Sequence, residues 1–219
     1  MKRLDINGNC KYNQLKRTIS PKYCCFPTSL ITAYEIIYGN DSFEHLNSYH
    51  KDLDIVDKLT YFSRYEPVAL QIYNLYEPKL YKQWLLDETK DKDLYSDNSY
   101  PPNELWKIIV ADFNLFINMN KQDSFTTHAS IVNASNDNIK HYLDDNKPLI
   151  ISCKVGNISG HMVTIVGYDD VGFYIYDSYG CKGFEQYQTI NKAKLIPYND
   201  FNKMFKPCNQ NKKLVVVMQ

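Results

Sequence analysis

No apolar run in this chain could span a membrane as a helix. The longest, Pro148-Leu149-Ile150-Ile151 and Leu214-Val215-Val216-Val217, stop far short of the roughly 20 residues a span requires. Net charge is missing too: 25 Lys+Arg stand against 25 Asp+Glu, so no cationic field gathers phosphates, and nucleic acid is not an expected partner. Met1 to Gly8 is basic but has no apolar core behind it, so no secretory signal is read and a cytoplasmic protein is expected. The six cysteines, at 10, 24, 25, 153, 181 and 208, include no CxxC pair, which argues against zinc ribbons and disulfide scaffolds. Reduced thiols are then either small core residues or chemical groups. His45, His50, His128 and His141 show no metal-ligand spacing, and neither metal nor cofactor is expected. What the chain does have is 219 residues, 44% of them apolar, enough for one domain over 1–219 that hides about 70% of its unfolded surface.

The apolar pattern divides the chain into two lobes. Leu30, Ala33, Tyr34 and Ile37 recur at helical steps between Pro27, suited to a first turn, and Gly39, suited to a stop. Helical patterning continues from about 41 to 120, with Ile55-Leu59-Phe62 and Leu105-Ile108-Ile109-Phe113-Phe116 as apolar faces, so a helical lobe is expected over about 25–120. A short helix over Asn136–Leu143 leads into runs rich in β-branched and aromatic residues. Strands are expected near Leu149–Val155, His161–Gly167, Phe173–Tyr176, Leu195–Pro197 and Leu214–Val217, with a short helix over Asn199–Phe205. The fold class is α+β, with helices first and then a mostly antiparallel sheet over about 136–219.

Cys25 stands at the entry to the first long helix, where unpaired backbone N–H groups and the positive end of the macrodipole favour thiolate over thiol. A cysteine at random is more often a buried small residue, and Cys24 is a neighbouring rival. Cys25 is the better placed of the two for the helix end. His161 and Asp177 flank the turn Tyr168-Asp169-Asp170-Val171-Gly172 in what reads as a hairpin. A loop of odd length centred near Asp170 sets Val163 opposite Asp177 and makes His161 the diagonal neighbour of Asp177 on one face, within reach. A carboxylate there orients the imidazole. Each residue alone has a plainer reading, as a strand-start histidine and a turn aspartate; together with Cys25 they point to nucleophilic catalysis.

These residues resemble the C39-like cysteine peptidases of the papain-like superfamily. The motifs that carry the likeness are Gln14, Cys25-Phe26-Pro27-Thr28-Ser29, Gly160-His161-Met162-Val163-Thr164-Ile165-Val166-Gly167-Tyr168-Asp169 and Asp177-Ser178-Tyr179-Gly180. The likeness extends to the segment Ile139–Ile150 and to Asp200-Phe201, and barely touches 41–120. It implies a papain-like fold and a Cys25-His161-Asp177 triad, with Gln14 and the Cys25 backbone N–H steadying an oxyanion and Asn13 as a rival donor. Two positions depart from the family pattern. Phe26 replaces a glycine, so an aromatic ring is expected to press near the nucleophile, and Ser178 replaces a proline.

The function expected from the resemblance is a cysteine peptidase that cleaves a peptide or isopeptide bond of a peptide or protein substrate through a thioester. The alternatives are an acyltransferase using the same nucleophile and an inactive papain-like binding module, which the bulk of Phe26 would favour. A bacterial or phage origin is the expected source. Residue types leave the substrate and the oligomeric state open.

Overall fold

The structure is a computed structural model that describes residues 1–4, 12–13, 16, 18, 24–66, 69, 102–119, 121, 125–155, 158–180, 184–190, 192–205 and 213–219. Helix α1, Cys25–Tyr38, is almost wholly buried over its first three turns and stops where the Gly39 N–H bonds the Glu35 carbonyl at 2.8 Å. A 3-10 turn follows over Asn40–Leu46, then α2, Ile55–Tyr65, whose N-terminal Val56 and Asp57 amides donate to the Asp54 side chain. Helix α3 spans Pro102–Asn118, with the proline where its missing N–H costs nothing. Leu30 and Ile31 of α1, Leu59 of α2 and Phe113 and Phe116 of α3 make one core with Ile150, Met162 and Val216 of the sheet.

The sheet has eight strands among the described residues: β1 Lys2–Arg3, β2 Ala129–Ala134, β3 Leu149–Val155, β4 Ile158–Tyr168, β5 Gly172–Tyr176, β6 Thr189–Ile190, β7 Ala193–Pro197 and β8 Lys213–Met218. Their order is β2-β8-β3-β4-β5-β7-β6, with β1 also paired to β4, and every pairing is antiparallel. The α+β class holds, with additions. β1, β2 and β6 join the five expected strands, and the sheet is covered on both faces. Helix α4, Asn136–Asp144, opens on a capping box between Ser135 and Asn138. It packs with α5, Tyr198–Met204, on a second core made by Ile139, Leu143, Val163, Ile165, Ile175, Phe201 and Val215. Alternation along β4 serves both cores, Met162 facing one and Val163 and Ile165 the other.

The β4–β5 hairpin differs from expectation at its turn. The loop is tight, closed by the Asp169 N–H to Gly172 carbonyl bond at 3.0 Å, and Tyr168 pairs Phe173. The Asp169 carboxylate braces it, accepting from Val171 and Gly172 amides at 2.8 and 3.0 Å and from the Tyr174 hydroxyl at 2.6 Å. Burial works against that charge, but the three donors outweigh it and hold the carboxyl below its ordinary range. Between Ile165 and Gly167 the register shifts by one residue, so that Ile165 pairs Ile175 and Thr164 pairs Tyr176. The expected alignment, Val163 level with Asp177, is thus reached by a bulge at Val166 rather than by an odd loop.

No helix among the described residues is long and apolar enough to cross a membrane.

Candidate active site

The site lies at the rim of the sheet, where β5 ends and α1 begins. His161 is buried in the opening part of β4, opposite Cys153 of β3. Gly160, just before it, has φ +78°, a left-handed conformation that a side chain would strain, while a Cβ there would meet nothing within 4 Å. Glycine here sets the path of the chain into His161 and fills no space. The His161 Nε2–H donates to Asp177 Oδ1 at 2.7 Å, and the two side chains are 3% and 5% exposed. Asp177 directly follows β5, and its Oδ1 also accepts the Tyr179 N–H at 2.9 Å, which fixes the carboxylate against its own chain. The Tyr179 ring lies 5.8 Å from the imidazole, tilted by 55°.

Helix α1 carries the thiols. Cys24, the residue before the helix, is wholly buried, whereas Cys25 is partly exposed. No side chain caps the helix and its first turn holds no acidic residue, so the leading amides keep their positive field. One turn on, Ser29 Oγ donates to the Met162 carbonyl at 3.3 Å. Ser29 stands four residues from Cys25 and Met162 is next to His161, so this bond sets the first turn of α1 against the start of β4. No hydrogen bond joins the Cys25 thiol to another described residue. Phe26, beside Cys25 in sequence, belongs to the helical core against which Cys25 packs. Its ring is buried in that core, edge-on to Trp106 with centroids 5.4 Å apart.

Gln14 and Cys181 lie outside the described residues. Tyr12, two residues before Gln14, is tied at both ends: its carbonyl accepts the Tyr176 hydroxyl at 3.0 Å, and its own hydroxyl donates to the buried Glu35 of α1 at 3.3 Å. The structure therefore brings His161 and Asp177 into contact, sets Cys25 at the start of the helix whose Ser29 bonds β4, and ties Tyr12 to β5 and α1. Residue reasoning passed over Ser29, Tyr179 and the Tyr176–Tyr12–Glu35 tie. The first two stand inside the Cys25–Ser29 and Asp177–Gly180 motifs, while the third joins positions that nothing local connects. Among the described residues, no group of three His, Cys, Asp or Glu side chains is arranged to hold a metal ion.

The pattern of the Peptidase_C39 like family matches residues 10–208. Among solved structures, the chain is similar to a protein from Bacillus anthracis assigned as a C39-like peptidase. The match has 13% identity and a TM-score of 0.32, and covers 50% of this chain and 58% of that one, little more than half of its length. A search of proteins of curated function finds no match.

Proposed function

Because the chain belongs to the Peptidase_C39 like family, with the match running through residues 10–208, we propose that it is a cysteine peptidase using Cys25 as nucleophile, His161 as base and acid, and Asp177 as the group that orients the imidazole. The observation that carries this reading is the buried His161–Asp177 bond of 2.7 Å at the strand end beside the first turn of α1. Asp177 engages Nε2, so Nδ1 is the nitrogen that takes the proton from sulfur. Cys25 Sγ then bonds to the substrate carbonyl carbon while its oxygen gains charge. The amide at Cys25, on an uncapped helix end, meets that charge, with the Gln14 side chain as the second donor; loss of one such donor typically costs roughly 2.7–4 kcal/mol of barrier. The imidazolium returns its proton to the leaving amine, the C–N bond breaks, and water hydrolyses the thioester with His161 again as base.

The Cys25 thiol makes no hydrogen bond to a described residue, which accords with this chemistry, since catalytic hydrogen bonds are often long before substrate binds. The contact of the Phe26 ring with Trp106 gives it a packing role in the helical core, which supports the active reading over an inactive module. The test is hydrolysis of a pooled peptide library followed by mass spectrometry. Cleavage is expected from the native protein and from Cys24→Ala, and none from Cys25→Ala or His161→Ala. Cleavage that survives Cys25→Ala removes the reading.

A further inference from the structure

The bulge at Val166 has a consequence for the site. At the turn end of the hairpin, Tyr168 pairs Phe173 and Gly167 pairs Tyr174; carried on unbroken, that register sets Thr164 opposite Asp177. Side chains alternate along a strand, so Asp177 would share the face of Thr164, and His161, three residues away, would take the opposite one. Beyond the bulge the register is Ile165 with Ile175 and Thr164 with Tyr176. Continued, it sets Val163 opposite Asp177 and brings His161, two residues from Val163, to the same face. The one extra residue on β4 decides whether the carboxylate can reach the imidazole.

A bulge breaks the ladder and needs something to hold it in place. On the edge facing β5, β4 is paired through Tyr168; on its other edge β3 reaches only to Ile165, and β1 continues from there, with Arg3 opposite Gly167 and Lys2 opposite Tyr168. The Leu4 N–H donates to the carbonyl of Val166, the bulged residue itself, at 2.8 Å. The fit is close: a Cβ on Gly167 would stand 2.5 Å from the Lys2 carbonyl oxygen and 2.8 Å from Arg3 Cα, both backbone atoms that cannot swing aside. Val166 is itself buried, against Tyr174 and Tyr176.

We infer that the N-terminal strand is a positioning device for the catalytic pair: β1, seated on Gly167 and tied to Val166 through the Leu4 N–H, holds the bulge and thereby keeps Asp177 on the His161 face. Leu4 and Gly167 are positioning residues; neither touches the reacting atoms. The inference rests on the peptidase reading for its catalytic meaning, but its structural claim is measured separately.

The experiment follows the imidazole Nε2–H resonance of His161 in protein carrying 15N-histidine, together with kcat and KM on a peptide from the cleaved pool. Leu4→Pro removes the N–H, Gly167→Val adds the excluded Cβ, and Leu4→Ala keeps the N–H while losing buried side-chain packing. The native protein and Leu4→Ala are expected to show the resonance, with Leu4→Ala less stable and its kcat unchanged. Leu4→Pro and Gly167→Val are expected to lose it, with kcat falling toward that of Asp177→Ala and KM unmoved. If Leu4→Pro fails to fold, Gly167→Val and Gly167→Ala, which adds the same Cβ, decide the matter. An intact resonance in folded Leu4→Pro or Gly167→Val overturns the inference, as does equal loss in Leu4→Ala, which would reduce β1 to packing. Failure of the peptidase reading, with hydrolysis surviving Cys25→Ala, leaves the resonance result standing on its own.

Discussion

Ser29 and Met162, 133 residues apart, are joined by a hydrogen bond of 3.3 Å from the serine hydroxyl to the methionine carbonyl. The bond meets β4 two residues beyond its last pair with β5, Thr164 with Tyr176, one helical turn from Cys25 and one residue from His161. Its removal is expected to act on both stability and catalysis. Ser29→Ala removes a buried hydrogen bond, a loss of about 0.5–1.5 kcal/mol, read from urea unfolding. It also loosens α1 against β4, so kcat is expected to fall while KM holds; an unchanged kcat would show that the helix end is placed by packing alone.

Asp177 makes two contacts through one oxygen, to the imidazole and to the Tyr179 amide. Asp177→Ala is therefore expected to free the imidazole and lower kcat by on the order of 10²-fold or more, the range of a positioned acid–base group. Asp177→Asn preserves shape but its amide can meet Nε2 either as acceptor or donor, so an intermediate loss is expected. Steady-state kinetics on the same peptide checks both, and full activity in Asp177→Ala would remove the carboxylate from the mechanism.

Cys24 and Cys25 are neighbours with different surroundings, the first at 0% exposure and the second partly open. Iodoacetamide under native conditions is expected to modify Cys25 and spare Cys24, by peptide mapping. In the His161→Ala protein the Cys25 rate at neutral pH is expected to fall to that of an ordinary cysteine. An equal rate with and without His161 would mean that the imidazole does not activate the thiol.

Much of this arrangement was legible from residue pattern because it is locally encoded. The helix entry at Cys25, the alternation of β4 and β5 and the pairing of His161 with Asp177 all follow from periods of 3.6 and 2.0. The pairing came from an incorrect turn, however. Asp169 folds a tight loop by accepting two amides, and Val166 absorbs the residue that the loop does not, a balance no pattern announces. β1 is two residues of Lys-Arg and β2 reads Ala-Ser-Ile-Val-Asn-Ala at a sheet edge, neither with the alternation that marks a strand. The burial of Phe26 was hidden for another reason: its partner Trp106 is 80 positions away, on a helix whose register against α1 only tertiary packing fixes.

That burial gives its own prediction. Phe26→Ala empties a core site beside Trp106, and the typical loss for such a truncation is about 3–5 kcal/mol. The glycine of the family pattern would add a helix penalty of about 1 kcal/mol. Neither variant is expected to broaden the peptides cleaved at a temperature where it remains folded. A widened cleavage profile in Phe26→Ala would return the ring to the substrate site.

His128 is expected to weaken the fold in acid. Its side chain is buried in edge-to-face contact with Tyr34 and Tyr38, at 5.3 and 5.7 Å, and neither ring nitrogen has a hydrogen-bond partner among the described residues. Burial foremost, with Lys121 and His45 adding repulsion, lowers its pKa to about 4. Its neighbour His45 is lowered in the same direction, again chiefly by burial, though it bonds the Ile117 carbonyl at 2.8 Å. Above the unfolded value of about 6.5 both states hold a neutral ring, and His128 adds no pH dependence. As pH falls below that, the unfolded chain takes up a proton that the folded one refuses, and stability is lost progressively until the folded ring titrates near 4. Urea midpoints are therefore expected to fall between pH 6.5 and pH 4. His128→Phe keeps an aromatic ring against the two tyrosines without a titrating nitrogen, so it is expected to flatten that slope and to gain on the native protein at pH 5 more than at pH 7.5. Parallel curves for the two proteins would show that His128 is not the group that acid attacks.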